Sequence, residues 1–219
     1  VTSSEQAFQT ALFRTIETVM GVVIWTLISV LIWPVTNAGK LNSIQAKLLD
    51  AQRGMLAVLG INGGNYADSR SGAAAGIQQL ATALREAGVE SYRVKHLEPA
   101  WDRYLQLSRQ YAALLNRWSN SEPERKAIDL NRAYPEYAGF VDELDQRFAA
   151  MGQLHAGGAS ELDAGEFALA TDNSYWEQAS VADRAVLEVS RRQLQKLDAC
   201  SREMLECIEV LSSDDSAAA

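Results

Sequence analysis

The chain has 219 residues, 47% of them hydrophobic and 22% charged, and a net charge of −8. This is the composition of a folded protein, in a length that holds one ordinary domain together with a membrane segment. Only Glu5, Arg14 and Glu17 carry charge before residue 40, so the acidic excess lies in residues 40–219; without a cluster of Lys and Arg, a nucleic-acid surface is excluded.

The first element is apolar. From Thr18 to Gly39 no residue is charged, and about 20 such residues suffice to cross a hydrocarbon core as a helix. A cleaved signal peptide has a basic start and an apolar run of only about 7 to 15 residues. The pattern therefore predicts a spanning helix over about residues 15–36, within a membrane segment 1–39 and in contact with the lipid bilayer. Trp33 and Pro34 suit an interfacial anchor, and Pro34, Asn37 and Gly39 are expected to end the helix.

The faces of this helix differ. At about 100° per residue, Arg14, Glu17, Thr18, Gly21, Trp25 and Ser29 share one side, while Val19, Met20, Val23, Leu27, Val30 and Leu31 lie opposite. Small and polar residues such as Thr18, Gly21 and Ser29 let other membrane helices pack closely. Arg14 and Glu17 either face a protein interior or water path, or sit at the interface with Arg14 snorkelling. Lys40, Lys47 and Arg53 follow the helix and only Arg14 precedes it, which places the C-terminal part in the cytoplasm.

Residues 40–219 read as a soluble all-α domain. Leu41, Ile44, Leu48, Met55 and Leu59 stripe a helix over about 40–59, and "INGGNYADSRSG" (61–72) then breaks the chain. Ile77, Leu80, Ala81 and Leu84 mark a second helix ending near Gly88. A third begins about Pro99 and carries Tyr104, Leu107, Tyr111, Leu114 and Trp118; a fourth carries Tyr137, Val141, Leu144, Phe148 and Met151. The last and longest has Leu187, Leu194, Leu197, Met204, Ile208 and Leu211, interrupted by Ser190 and Ser201. Such seams predict an antiparallel helical bundle. The stretch "LHAGGASELDAGEFALATDNSYWEQ" reads as a long loop that either covers the bundle or moves freely.

Catalytic chemistry is not legible. His96 and His155 stand apart from any cysteine or carboxylate at ligand spacing, which predicts surface or capping roles and no metal. The acidic residues Glu161, Asp163, Glu166 and Asp172 lack the order of a calcium loop, and "GINGGN" lacks the lysine of a phosphate loop. Cys200 and Cys207, seven apart on one helix, lie near 10 Å from each other and cannot bridge within it. We expect neither an enzyme nor a bound cofactor.

The stretch "AFQTALFRTIETVMGVVIWTLISVLIWPV", Ala7 to Val35, resembles the last membrane helix of the first half of the fusaric acid resistance family, related to the aromatic acid exporters. The matching pattern is Arg14, Glu17, Gly21, Ser29, Trp33 and Pro34, and "GKLNSIQAKLLDAQRGML" looks like the opening of the helical domain that follows in such proteins. With its Val start and polar-striped helix, the chain reads as a fragment lacking neighbouring membrane helices. The resemblance implies part of a bacterial inner-membrane efflux transporter for small organic acids, aromatic or fusaric in type, driven by an ion gradient. On that reading Arg14 attracts a carboxylate substrate near the pathway and Glu17 pairs with it or carries a proton. The rival is a single-pass sensor or scaffold that self-associates as a homo-oligomer through its bundle, which leaves Arg14 and Glu17 little to do.

Overall fold

The computed structural model describes residues 3–60, 65–90, 95–126, 128–159 and 165–216, with side chains left out at 3–11, 29–38, 89–90 and 214–216. Helices and their connections account for all of these, and no strand occurs among them. The chain divides into two compact units, Val1–Leu41 and Asn42–Ala219.

Helix α1 runs Ser3–Gly54. Pro34, Asn37 and Gly39, expected to end the apolar helix, therefore lie inside it. A proline gives up one backbone hydrogen bond without obliging the helix to stop, provided the neighbouring turns are held. A 3₁₀ turn, Met55–Leu59, follows, and Gly60 closes it in the left-handed conformation at φ 98° with its amide on the Ala57 carbonyl. That conformation favours glycine, which has no Cβ to clash.

Helix α2 spans Tyr66–Glu90, so the second half of the expected break is helical. Asn65 starts it: its side-chain oxygen accepts from the Ala67 amide at 3.1 Å and its nitrogen donates to Asp68 at 2.8 Å. The glycine and serine there serve a helix crossing. A Cβ on Gly76 would stand 3.2 Å from the Leu48 Cβ, one on Gly72 would stand 3.4 Å from the Ala51 Cβ, and Gly54 lies against Ser69.

Helix α3 (Glu98–Asn120) opens with Pro99 in its first turn, as expected from a residue that needs no amide partner there. Two short helices follow, α4 (Glu122–Arg125) and α5 (Leu130–Ala133), the second capped by the Asp129 carboxylate on the Arg132 amide at 3.1 Å. Helix α6 is Tyr137–His155, α7 is Asn173–Gln178 and α8 is Val181–Ser216. Ser180 and Asp183 form a reciprocal cap at the start of α8, the Asp183 amide donating to the Ser180 hydroxyl at 3.1 Å and that hydroxyl donating back to the carboxylate at 2.7 Å.

The apolar seams meet in the Asn42–Ala219 unit. Tyr104, Leu107, Tyr111 and Trp118 of α3, Phe140, Leu144 and Met151 of α6, and Leu194, Leu197 and Met204 of α8 are all buried. Tyr111 and Phe148 pack against each other with ring centres 5.0 Å apart and planes tilted by 46°. Of the expected loop, Leu154 and His155 end α6 and Asn173–Gln178 form α7, and the part from Gly165 onward covers the bundle. Phe167 meets Phe140 edge-on at 5.5 Å, the Asp172 amide donates to the Ala133 carbonyl, and Trp176 meets Tyr134 edge-on at 6.1 Å.

Candidate functional site

On α1, Arg14 and Glu17 stand three residues apart on continuous helix, and Thr18 and Gly21 continue the same side one turn on. All four are exposed within this chain. The Thr18 hydroxyl donates to the Arg14 carbonyl and the Thr26 hydroxyl to the Val22 carbonyl, both at 2.8 Å. Two hydroxyl groups in the apolar stretch are thus satisfied inside the helix, as a low-dielectric surrounding requires. A Cβ on Gly21 would meet nothing within 4 Å, so the notch there is unfilled. The side chains of Ser29, Trp33 and Pro34 lie outside the described ones.

Around this stripe the apolar residues have no cover. Every large apolar side chain from Leu12 to Ile28 is between 45% and 70% exposed. A helix of a water-soluble domain buries one apolar stripe and wets the rest. This segment is apolar nearly all round and buries none of it, a surface far larger than soluble monomers ordinarily expose. Among the described residues no helix is long and apolar enough to cross a membrane. The apolar sequence of α1 continues through 29–38, where side chains are not described.

A second polar feature, in the Asn42–Ala219 unit, is not among those expected from the sequence. Arg147 of α6 is fully buried. Its Nη1 donates to Asp198 Oδ1 at 2.7 Å and to the Ser201 hydroxyl at 3.0 Å, and its Nη2 donates to the Gly165 carbonyl at 2.9 Å. Glu143 approaches Nε at 3.4 Å without a hydrogen bond, and Arg202 holds the other Asp198 oxygen at 3.1 Å. The cluster joins α6, α8 and the covering segment and encloses the guanidinium, so its work is structural. One signal was available: Arg147 falls between Leu144, Phe148 and Met151 on the apolar stripe, facing the place where Ser201 interrupts the last helix.

Other charged groups sit nearer the surface. Arg53 and Asp145 pair through two hydrogen bonds of 2.7 Å each, and the Arg53 guanidinium holds the Asp145 carboxyl below the usual carboxylate range. Arg125 lies 3.9 Å over the Trp118 ring and donates to the Trp118 carbonyl at 2.6 Å; burial lowers its pKa from the ordinary arginine value. Burial pushes the Cys200 thiol up to about 12, and Cys207 is also raised, mainly by burial, so neither is an activated nucleophile. His155 ends α6 with Nε2 2.9 Å from the Asn42 carbonyl oxygen. Among the described residues no group of His, Cys, Asp and Glu could hold a metal. Glu161 and Asp163 lie outside those residues.

A helix with its described apolar surface uncovered, carried with an all-helical bundle, is the pattern of a membrane-associated class of protein. The model of the fusaric acid resistance protein family matches residues 1–217, and the chain belongs to that family. It is a family of membrane transporters, not of enzymes. No curated protein and no solved structure matches the chain.

Proposed function

We propose that the chain is part of a bacterial inner-membrane transporter that exports small organic acids of aromatic or fusaric type. The reading rests on the uncovered apolar surface from Leu12 to Ile28, taken with membership of a transporter family. Residues 15–36 span the bilayer and the bundle, residues 40–219, lies in the cytoplasm. The Thr18, Gly21 and Ser29 side packs against other membrane helices of the transporter, while the opposite side meets lipid. Trp33 and Pro34 stand at the membrane–water interface.

Arg14 and Glu17 mark the pathway. A guanidinium at the edge of a low-dielectric region attracts a carboxylate strongly, and a carboxylate one turn away balances its charge between substrates. Family membership favours transport over the single-pass sensor or scaffold.

The test is Arg14→Ala in the intact transporter, with efflux of a labelled aromatic carboxylate measured beside membrane abundance. Export should be lost while abundance holds. Equal export by the variant removes Arg14 from the mechanism.

A further inference from the structure

We propose that the seam between α3 and the Asn42–Gly54 part of α1 binds internal water at two levels, one beside Gln45 and one beside Gln52, as a fixed component of the bundle. This goes beyond the transport reading, since both levels belong to the Asn42–Ala219 unit and require no membrane helix.

The first level is a cavity of about 20 Å³ whose lining includes Asn42 and Gln45 of α1, Trp101 of α3, His155 of α6 and Ser212 of α8. A space of that size holds one water and no larger molecule. Its walls carry hydrogen-bonding groups among apolar ones. Gln45 is only 3% exposed, and the His155 Nε2 is engaged with the Asn42 carbonyl at 2.9 Å. A carboxamide buried at such a place requires polar partners, which a water in the cavity supplies.

The second level follows from helical spacing. Seven residues make two turns and return to the same side of a helix about 10 Å further on. From Gln45 that residue is Gln52, and from Trp101 it is Ser108. The two helices leave the shared cavity in the same direction. The turn that follows α1, Met55–Leu59, packs on α3, and just beyond it the Tyr66 hydroxyl donates to Asn116 near the end of α3. Helix α6 crosses the same level, with Asp145 on Arg53 and Phe148 against Tyr111. Leu48 and Ala51 turn toward α2 and Arg53 toward α6, which aims Gln52 between them into the core.

Polar atoms gather there without protein partners. Gln52, Ser108 and Tyr111 are fully buried. Neither polar atom of the Gln52 carboxamide has a hydrogen-bond partner among the described residues, and the Ser108 and Tyr111 hydroxyls have none. The Tyr104 hydroxyl, one turn before Ser108, is in the same condition. Buried polar side-chain atoms are satisfied by protein or by ordered water in the large majority of cases. The set combines donors with acceptors, and water donates and accepts at once. An ion would find no free counter-charge, because Arg53 and Asp145 already hold each other.

The test is oxygen-17 relaxation dispersion of the full chain in detergent micelles. It counts water molecules held for longer than the complex takes to tumble, and exchanging hydroxyl protons do not contribute. Gln45→Met and Gln52→Met keep the side-chain length and remove the carboxamide, and each should lower the wild-type count by about one. Gln78→Met, on the exposed side of α2, should leave the count unchanged. A wild type without long-lived water, or an unchanged count in both core variants, would overturn the assignment; loss in one variant alone keeps that level and removes the other. Aromatic circular dichroism reports whether each variant retains the native core. Where Gln52→Met does not, Ser108→Ala, which deletes a single oxygen, takes its place. Faster exchange of one water in that variant supports the second level, and an identical dispersion profile rejects it.

Discussion

Arg147 shows how much a single residue can decide. Its guanidinium is fully buried and holds Asp198, Ser201 and the Gly165 carbonyl together. Removing one partner of a buried charge pair leaves the other without compensation and costs about 3–5 kcal/mol, while replacing both by apolar groups restores much of it. We expect Asp198→Ala to lower the stability of the Asn42–Ala219 unit by about 3 kcal/mol, and Arg147→Met with Asp198→Leu to recover most of that. Urea unfolding followed by circular dichroism measures both; an additive double variant would show that the cluster is not a unit. The Arg53–Asp145 pair is more solvated, at 46% and 24% side-chain exposure, and is worth less. Arg53 depresses the Asp145 pKa, so the pair's stabilisation is present above the unfolded carboxylate range and fades as pH falls through the lower folded value. Asp145→Asn should therefore cost about 0.5 kcal/mol at neutral pH. Once the pH has fallen through that lowered folded value the deficit should close, and a deficit that persists in acid would assign the loss to packing instead.

At the scale of the element, the contact between α1 and α2 is set by residues with no side chain to spare. A Cβ on Gly76 would stand 3.2 Å from both Cβ and Cδ1 of Leu48, whereas on Gly72 it would make an ordinary 3.4 Å contact with Ala51. Gly72→Ala should be neutral or stabilising by up to about 1 kcal/mol, because alanine is the better helix former. Gly76→Leu should destabilise by about 2 kcal/mol through overpacking. Thermal unfolding of the two variants gives the order, and a Gly76→Leu protein as stable as wild type would mean that the helices part at no cost. The same glycines explain where the sequence was legible. The seams of α3, α6 and α8 were visible because Leu, Tyr and Phe recur at helical spacing and nothing else accounts for that period. In "INGGNYADSRSG" the glycine of a turn and the glycine of a helix crossing look alike, since only the partner helix distinguishes them. Pro34 misled in the same way: its effect on a helix depends on the turns around it. The buried cluster of Arg147 was not foreseen, because the sequence does not show that Asp198 and Ser201 face it.

The whole molecule joins an acidic helical unit that buries its apolar seams to a segment whose described large apolar side chains, Leu12 to Ile28, are all exposed. Water makes the second arrangement costly, at roughly 25 cal/mol for each Å² left exposed, and a bilayer removes that cost without any protein partner. The two sides of α1 then have different surroundings in the proposed reading, and a charge tests which is which. Val23 lies opposite Arg14 on the helix, is 50% exposed and falls near the middle of residues 15–36. An arginine at the centre of a spanning helix costs about 3 kcal/mol of insertion free energy. Val23→Arg should accordingly move much of the chain from the membrane pellet into the alkaline carbonate extract. Gln78→Arg, on the exposed side of α2, should leave the distribution unchanged. The comparison separates a spanning helix from one that adheres to other proteins through its surface. A surface contact would be weakened by Val23→Arg only if that side were its interface, and carbonate would extract the wild-type chain as well. Retention of wild type with release of Val23→Arg therefore supports a helix in the bilayer with Val23 toward lipid, and release of both rejects it.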